Sequence, residues 1–236
     1  MRGGSEKAGI DGGLLALTAV FITSLTAANF LAAKVASLGK VLGIELLVPA
    51  GVLAYAVTFT ATDVIGEVYG RKAANYVVRV GFATQLLILL YAWFAVSLPI
   101  APFQAGLGEA FNKLVASPPN IVLASLTAYL VSQHHDVWAF HFWRRVTKGR
   151  WLWLRNNAST AVSQLIDTAI FITLAFGVLP SIMGGASVPW ALILNTILGQ
   201  YVVKLIIALL DTPFVYLGVA LLGRRVVNHV NEVLPA

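Results

Sequence analysis

Apolar residues in this chain come in blocks of about twenty, parted by short clusters of Gly, Pro and charge. A helix rises 1.5 Å per residue, so a block of that length matches the hydrocarbon core of a bilayer. The pattern predicts helices near 14–33, 46–66, 76–96, 121–142, 158–178 and 188–211. Proline punctuates them: Pro99 and Pro102 close the third, Pro118-Pro119 opens the fourth and Pro180 closes the fifth. The last apolar run continues to Leu222, too long for one straight span, so Pro213 is expected to kink it or end the span near Asp211. Gly108 to Val115 predicts a short interfacial helix. The first dozen residues are too polar for a cleavable signal, so the first block is expected to stay as a helix. The fold class expected is all-α: a single transmembrane domain over 1–236, an integral membrane bundle of six helices with both termini cytoplasmic.

Composition sharpens this. Apolar residues make up 58% of the 236 and charged ones 11%, where a soluble domain is nearer a quarter charged. The mean hydropathy of +0.83 describes a surface that water would not solvate. The net charge of +6 suggests nucleic acid only until the basic residues are placed. Threading the six blocks puts Arg2, Lys7, Arg71, Lys72, Arg144, Arg145, Lys148, Arg150, Arg155, Arg224 and Arg225 on one side. Lys34, Lys40 and Lys113 fall on the other, while Arg79 and Lys204 lie inside spans. That is the asymmetry of basic cytoplasmic loops, so no nucleic-acid partner is expected. There is no G-x-x-x-x-G-K-[ST], hence no nucleotide-driven motor in the chain itself, and no Cys for disulfides or thiolate metal sites.

Polar groups inside apolar blocks carry the chemistry, because an ionisable side chain at the bilayer centre is expensive and needs a partner or a function. In the fourth block Ser125, Tyr129, Ser132 or Gln133, and Asp136 recur along one helical stripe; in the fifth, Asn157, Thr160, Gln164, and Asp167 or Thr168 do the same. Both contain V-S-Q-x-x-D, at Val131–Asp136 and Val162–Asp167. The two helices are antiparallel about the basic loop Arg144–Arg155, which puts both motifs roughly 10–20 Å from the cytoplasmic edge. Asp63 falls at a comparable depth, whereas Glu67 and Asp211 are expected nearer the interface. Such a set can line a polar cavity; single Ser, Thr, Asn or Gln residues also serve simply as interhelical glue. His134, His135 and Asp136 point about 100° apart on a helix, so no metal site is expected there. Ala28, Ala32 and Ala36 form a small-residue ridge for a neighbouring or partner helix.

A wider set of residues carries a resemblance. Asn29 with Lys34, Thr62-Asp63-Val64-Ile65-Gly66-Glu67-Val68-Tyr69-Gly70 and Ser132-Gln133-His134-His135-Asp136 belong to it. Trp153-Leu154-Arg155-Asn156-Asn157-Ala158-Ser159-Thr160, Ser163-Gln164, Asp167-Thr168 and Lys204 complete it. Together, from about Leu14 to Arg225, the chain resembles the queuosine-precursor transporter family, also called vitamin-uptake-transporter-like. That family's bundle is similar to the substrate-binding subunits of energy-coupling-factor importers. The resemblance implies a multi-pass plasma-membrane carrier, not an enzyme, importing 7-deazaguanine precursors of modified tRNA nucleosides for queuosine or archaeosine salvage. It implies a small planar substrate, no cofactor, and either unaided transport or a separate ATP-driven module. The substrate-binding set implied is Asn29, Asp63, Glu67, Tyr129, Gln133, Asp136, Arg155, Asn157, Gln164, Asp167 and Lys204. In it Asp136 or Asp167 would accept from the base's N–H donors, with Gln133, Gln164 or Asn157 on the carbonyl and ring nitrogens. Tyr129 or Phe171 would stack on the ring, and Arg155 and Lys204 would be the charge partners of the carboxylates. The rivals are a binding subunit of an ATP-driven vitamin importer with another small substrate, and an intramembrane enzyme using Asp136 and Asp167 as a carboxylate pair.

Overall fold

The computed structural model describes residues 11–31, 34–41, 44–115, 119–182 and 187–233. Arg2, Lys7, Ala32 and Pro118 lie outside them. The architecture is helical: α1 (Gly12–Leu31), α2 (Val52–Val68), α3 (Arg71–Ser97), α4 (Ala105–Val115), α5 (Pro119–Val146), α6 (Leu152–Ile172), α7 (Leu179–Ile182) and α8 (Trp190–Val233). The Asp11 carboxylate caps α1 by accepting from Gly13 N and Leu14 N at 2.7 and 3.0 Å. Phe21, Leu25 and Ala28, spaced a helical turn apart, form its buried stripe.

Three expectations need correction. The second helix begins at Val52 rather than 46, because Ile44–Pro49 is a strand, β2, paired antiparallel with β1 (Val35–Val41). Pro49 cannot continue a helix, and Gly51 caps α2 where the chain passes close to α1: a Cβ there would lie 2.2 Å from the Ala28 carbonyl oxygen. The fifth helix starts at Leu152 and does not stop at Pro180. It widens into a π-turn over Thr173–Val178 and goes on as α7. Proline leaves the carbonyl four residues back without its N–H; here Phe176 O accepts from Val188 N at 2.9 Å instead. Finally, α8 runs through Pro213 rather than ending near Asp211. Thr60 on α2 and Asn156 and Asn157 on α6 bond to Asp211 and Thr212 just before the proline, which holds α8 against the bundle there.

Among the described residues four helices are long and apolar enough to cross a membrane: Gly12–Leu31, Arg71–Ser97, Leu152–Ile182 and Trp190–Gly223. On α3 and α8 many large apolar side chains are exposed, among them Leu90, Trp93, Phe94, Leu209, Leu210 and Phe214. By contrast α2 and α5 carry polar groups inward. The second half of α2 buries Thr58, Thr62, Asp63 and Gly66 among Phe59, Val64 and Ile65. Its main cluster joins Phe21 and Leu25 of α1, Ile65 of α2, Val77 and Val78 of α3 and Val137 of α5. Contacts from Tyr69 Oη to Asp11 (2.9 Å), Arg144 to the Gly66 and Glu67 carbonyls (3.3 Å each) and Trp153 N to Tyr216 Oη (3.1 Å) gather one end of the bundle.

Candidate functional site

Asp167, 6% exposed on α6, ties four helices together. Its Oδ1 accepts from Tyr55 Oη of α2 at 2.9 Å and from Ser132 Oγ of α5 at 3.0 Å. Its Oδ2 pairs with Lys204 Nζ of α8 at 2.7 Å, and that ammonium also sits 5.4 Å from the centre of the Tyr55 ring. Of the two cations expected to partner the carboxylates, Lys204 thus meets Asp167. Tyr55 was not anticipated; with Thr58 and Thr62 it forms an i, i+3, i+7 polar stripe that marks this face of α2.

The two V-S-Q-x-x-D motifs cross. Ser132 of the first bonds Asp167 of the second, while the Ser163 hydroxyl of the second comes within reach of Asp136 of the first. Antiparallel helices with the same i, i+4 spacing produce this reciprocity when they pack on matching faces. Asp136 and Asp63, 0% and 2% exposed, approach each other across α5 and α2. Asp63 is thus brought to Asp136 but not to Asp167, so the three carboxyls expected at one depth fall into two groups. Gln133 Nε2 donates to Thr58 Oγ1 at 3.3 Å, leaving its Oε1 without a donor.

Arg155 does not serve Asp136 or Asp167. It is 1% exposed and holds Glu67 bidentately at 2.8 and 3.2 Å, with its guanidinium 5.5 Å from the centre of the Phe140 ring. Arg144 joins at 3.6 Å from Glu67. Depth arithmetic along a helix does not say which face a side chain occupies, and the fork geometry of Arg suits a single carboxylate. Tyr129 donates to Val78 O at 2.8 Å and its ring stacks on Phe82, so it joins α5 to α3. Asn29 bonds Gln85 Oε1 and ties α1 to α3. Asn157 donates to Thr212 Oγ1 at 2.8 Å. Asp211 accepts from Thr60 Oγ1 at 3.1 Å and Asn156 Nδ2 at 3.4 Å. Of the histidines, His135 meets Ser163 and His141 lies beside Gly66.

A cleft opens where α2, α6 and α8 meet, lined by Tyr55, Thr160, Gln164, Lys204 and Asp211 with Val52, Ala56, Ile207 and Ala208. Thr160 Oγ1 and Gln164 Oε1 have no hydrogen-bond partner, and Lys204 Nζ is the ammonium among them. Its wall thus sets acceptor oxygens of Asp211, Gln164 and Thr160 beside one ammonium. Its free volume of about 10 Å³ holds about one water; a larger guest needs α8 to move from α2, or Lys204 and Gln164 to turn aside.

Comparison with known proteins adds the following. The profile of the family described as "Putative vitamin uptake transporter" matches residues 49–218. A protein named "Probable queuosine precursor transporter" from Bacillus subtilis (strain 168) is 36% identical over 169 residues, covering 70% of this chain and 69% of its own length. No solved structure matches the chain.

Proposed function

This chain belongs to the vitamin uptake transporter family, and from that premise we propose that it imports 7-deazaguanine precursors of modified tRNA nucleosides across the cell membrane. It is a multi-pass membrane protein, and its relative's name supplies the substrate class. The observation that carries the proposal is the cleft in which unpaired acceptor oxygens stand beside a single ammonium. A guanine-like base shows adjacent N–H donors on one edge and a carbonyl next to them. The donors fit Asp211 and Gln164 Oε1, and the carbonyl fits Lys204 Nζ, which Asp167, Tyr55 and Ser132 hold in place. Asp167 then acts by positioning the ammonium. An apolar vitamin would leave these groups unpaired, and a site built for hydrogen bonds rejects ligands that lack them.

The same reading takes α1, α2, α3, α5, α6 and α8 as six crossings with cytoplasmic termini. Support comes from the basic loops and from the contacts of Asp11 with Tyr69 and of Trp153 with Tyr216, which bring the start of α1 and the later part of α8 to the end bearing Arg144 and Arg155. Uptake of a radiolabelled 7-deazaguanine by purified protein in liposomes tests the function. Saturable uptake competed by guanine-like bases is the expected result. Failure of such bases to bind or cross would refute the substrate, and uptake only beside an added ATPase would refute unaided transport.

A further inference from the structure

Among the described residues the ion pairs inside the bundle are Arg144 and Arg155 with Glu67, and Lys204 with Asp167. Asp63, Asp136 and Asp211 form none. Asp63 and Asp136 are the more deeply buried, and their carboxyls meet across the α2–α5 interface. Asp63 Oδ2 and both oxygens of Asp136 lack a hydrogen bond of full geometry from any donor, although the Ser159 and Ser163 hydroxyls stand close to Asp136. Two bare carboxylates in contact repel, whereas two carboxyls holding one proton bond to each other.

The charged surroundings are known on every side. On α2, Glu67 is taken by Arg155, and Tyr55 by Asp167. On α5, His135 bonds Ser163 and His141 sits by Gly66. From α8, Lys204 is held by Asp167, while Asp211 faces the pair without a cation. Packed α1 has no ionisable side chain, and Arg79 of α3 is exposed. Arg155 of α6 also acts on Asp63 across space, but its guanidinium is forked onto Glu67, and among the described residues no cation forms an ion pair with either member of the pair.

We infer that the Asp63–Asp136 pair is a proton-carrying site, distinct from the cleft, that makes this chain a proton–base symporter. The inference rests on the transport reading above. The link between the sites is Asp211, which lines the cleft and feels both members of the pair. With the proton on the pair, Asp211 stays an acceptor-only carboxylate for the base's N–H groups. With the pair empty, Asp211 competes for the proton and then presents an O–H to that donor edge. Proton binding thus favours base binding, and the coupling is reciprocal. The step is a transfer only: an O–H bond forms on the pair from an outside proton and breaks to release it inside, with the base unchanged.

The experiment uses purified protein in liposomes, a radiolabelled 7-deazaguanine and a gradient acid on the outside. One-for-one coupling sustains about a tenfold accumulation per pH unit, and a protonophore abolishes it. Asp63→Asn and Asp136→Asn should lose accumulation but retain base-for-base exchange. The wild-type protein in weakly buffered detergent solution should also take up protons when the base is added, a readout independent of either variant's folding. Wild-type exchange without gradient-driven accumulation, accumulation driven by sodium instead, or no proton uptake on binding overturns the inference while leaving the substrate reading standing. Absence of any exchange or binding sinks both.

Discussion

Replacing Asp167 by Asn removes the charge that holds Lys204 while keeping the shape that meets Tyr55 and Ser132. The side chains of Lys204 and Asp167 are 12% and 8% exposed, so the pair is buried. Removing one member of such a pair costs about 3–5 kcal/mol, because the other charge is stranded. At roughly 2–4 °C per kcal/mol for a chain of this size, the midpoint of thermal unfolding should fall by about 6–20 °C. Adding Lys204→Met takes away the stranded ammonium and keeps its apolar stem. Replacing a buried pair with apolar groups is often neutral, so the double variant should regain most of the lost stability. Base binding should stay lost in both, since one variant misplaces the donor and the other removes it. Thermal unfolding in detergent beside equilibrium binding of a 7-deazaguanine separates the two effects. The reasoning fails if Asp167→Asn melts like the wild type, or if the double variant is no more stable than the single one.

Gln164→Ala should weaken base binding about tenfold or more, because an unpaired acceptor on the cleft wall is removed; Gln133→Ala, which loses only its bond to Thr58, should mainly lower stability. Their effects on binding affinity should add within about 0.5 kcal/mol in a double-mutant cycle. Reporter fusions at Met1, at Lys40 and after Arg225 should read inside, outside and inside; a C-terminal reporter active only outside refutes six crossings. Gly51→Ala should lower the unfolding midpoint strongly, since its Cβ would strike the Ala28 carbonyl. An unchanged melt would show that α1 and α2 separate there freely.

The helical blocks were legible because lipid selects for length and apolarity, and α1, α3 and α8 face outward. The hairpin was not: Ile44–Pro49 is an apolar run too short for periodicity to separate strand from helix. In the site, the repeated V-S-Q-x-x-D spacing placed Ser132, Asp136, Ser163 and Asp167 at matching depth, and their crossing agrees with that. Rotation about each helix was not legible, which is why Arg155 was assigned to the wrong carboxylates. That Asp211 would bond to Thr60 and Asn156 was equally hidden, because its partners lie on two other helices far away in sequence. Tyr55 was passed over because an aromatic in an apolar block usually packs rather than accepts or donates.

The way α8 closes the bundle bears on how the protein is made. Asp167 leaves the ribosome well before Lys204, and Thr60 and Asn156 well before Asp211. On the six-crossing reading, a nascent chain that stops at residue 189 has already delivered α2, α5 and α6 into lipid with these polar groups facing a gap. Only the final helix, with the ammonium and the carboxylate that complete them, fills it. Synthesis and maturation are thus uncoupled until the last segment emerges, and a chain truncated before α8 presents its polar seam to the machinery that degrades unfinished membrane proteins.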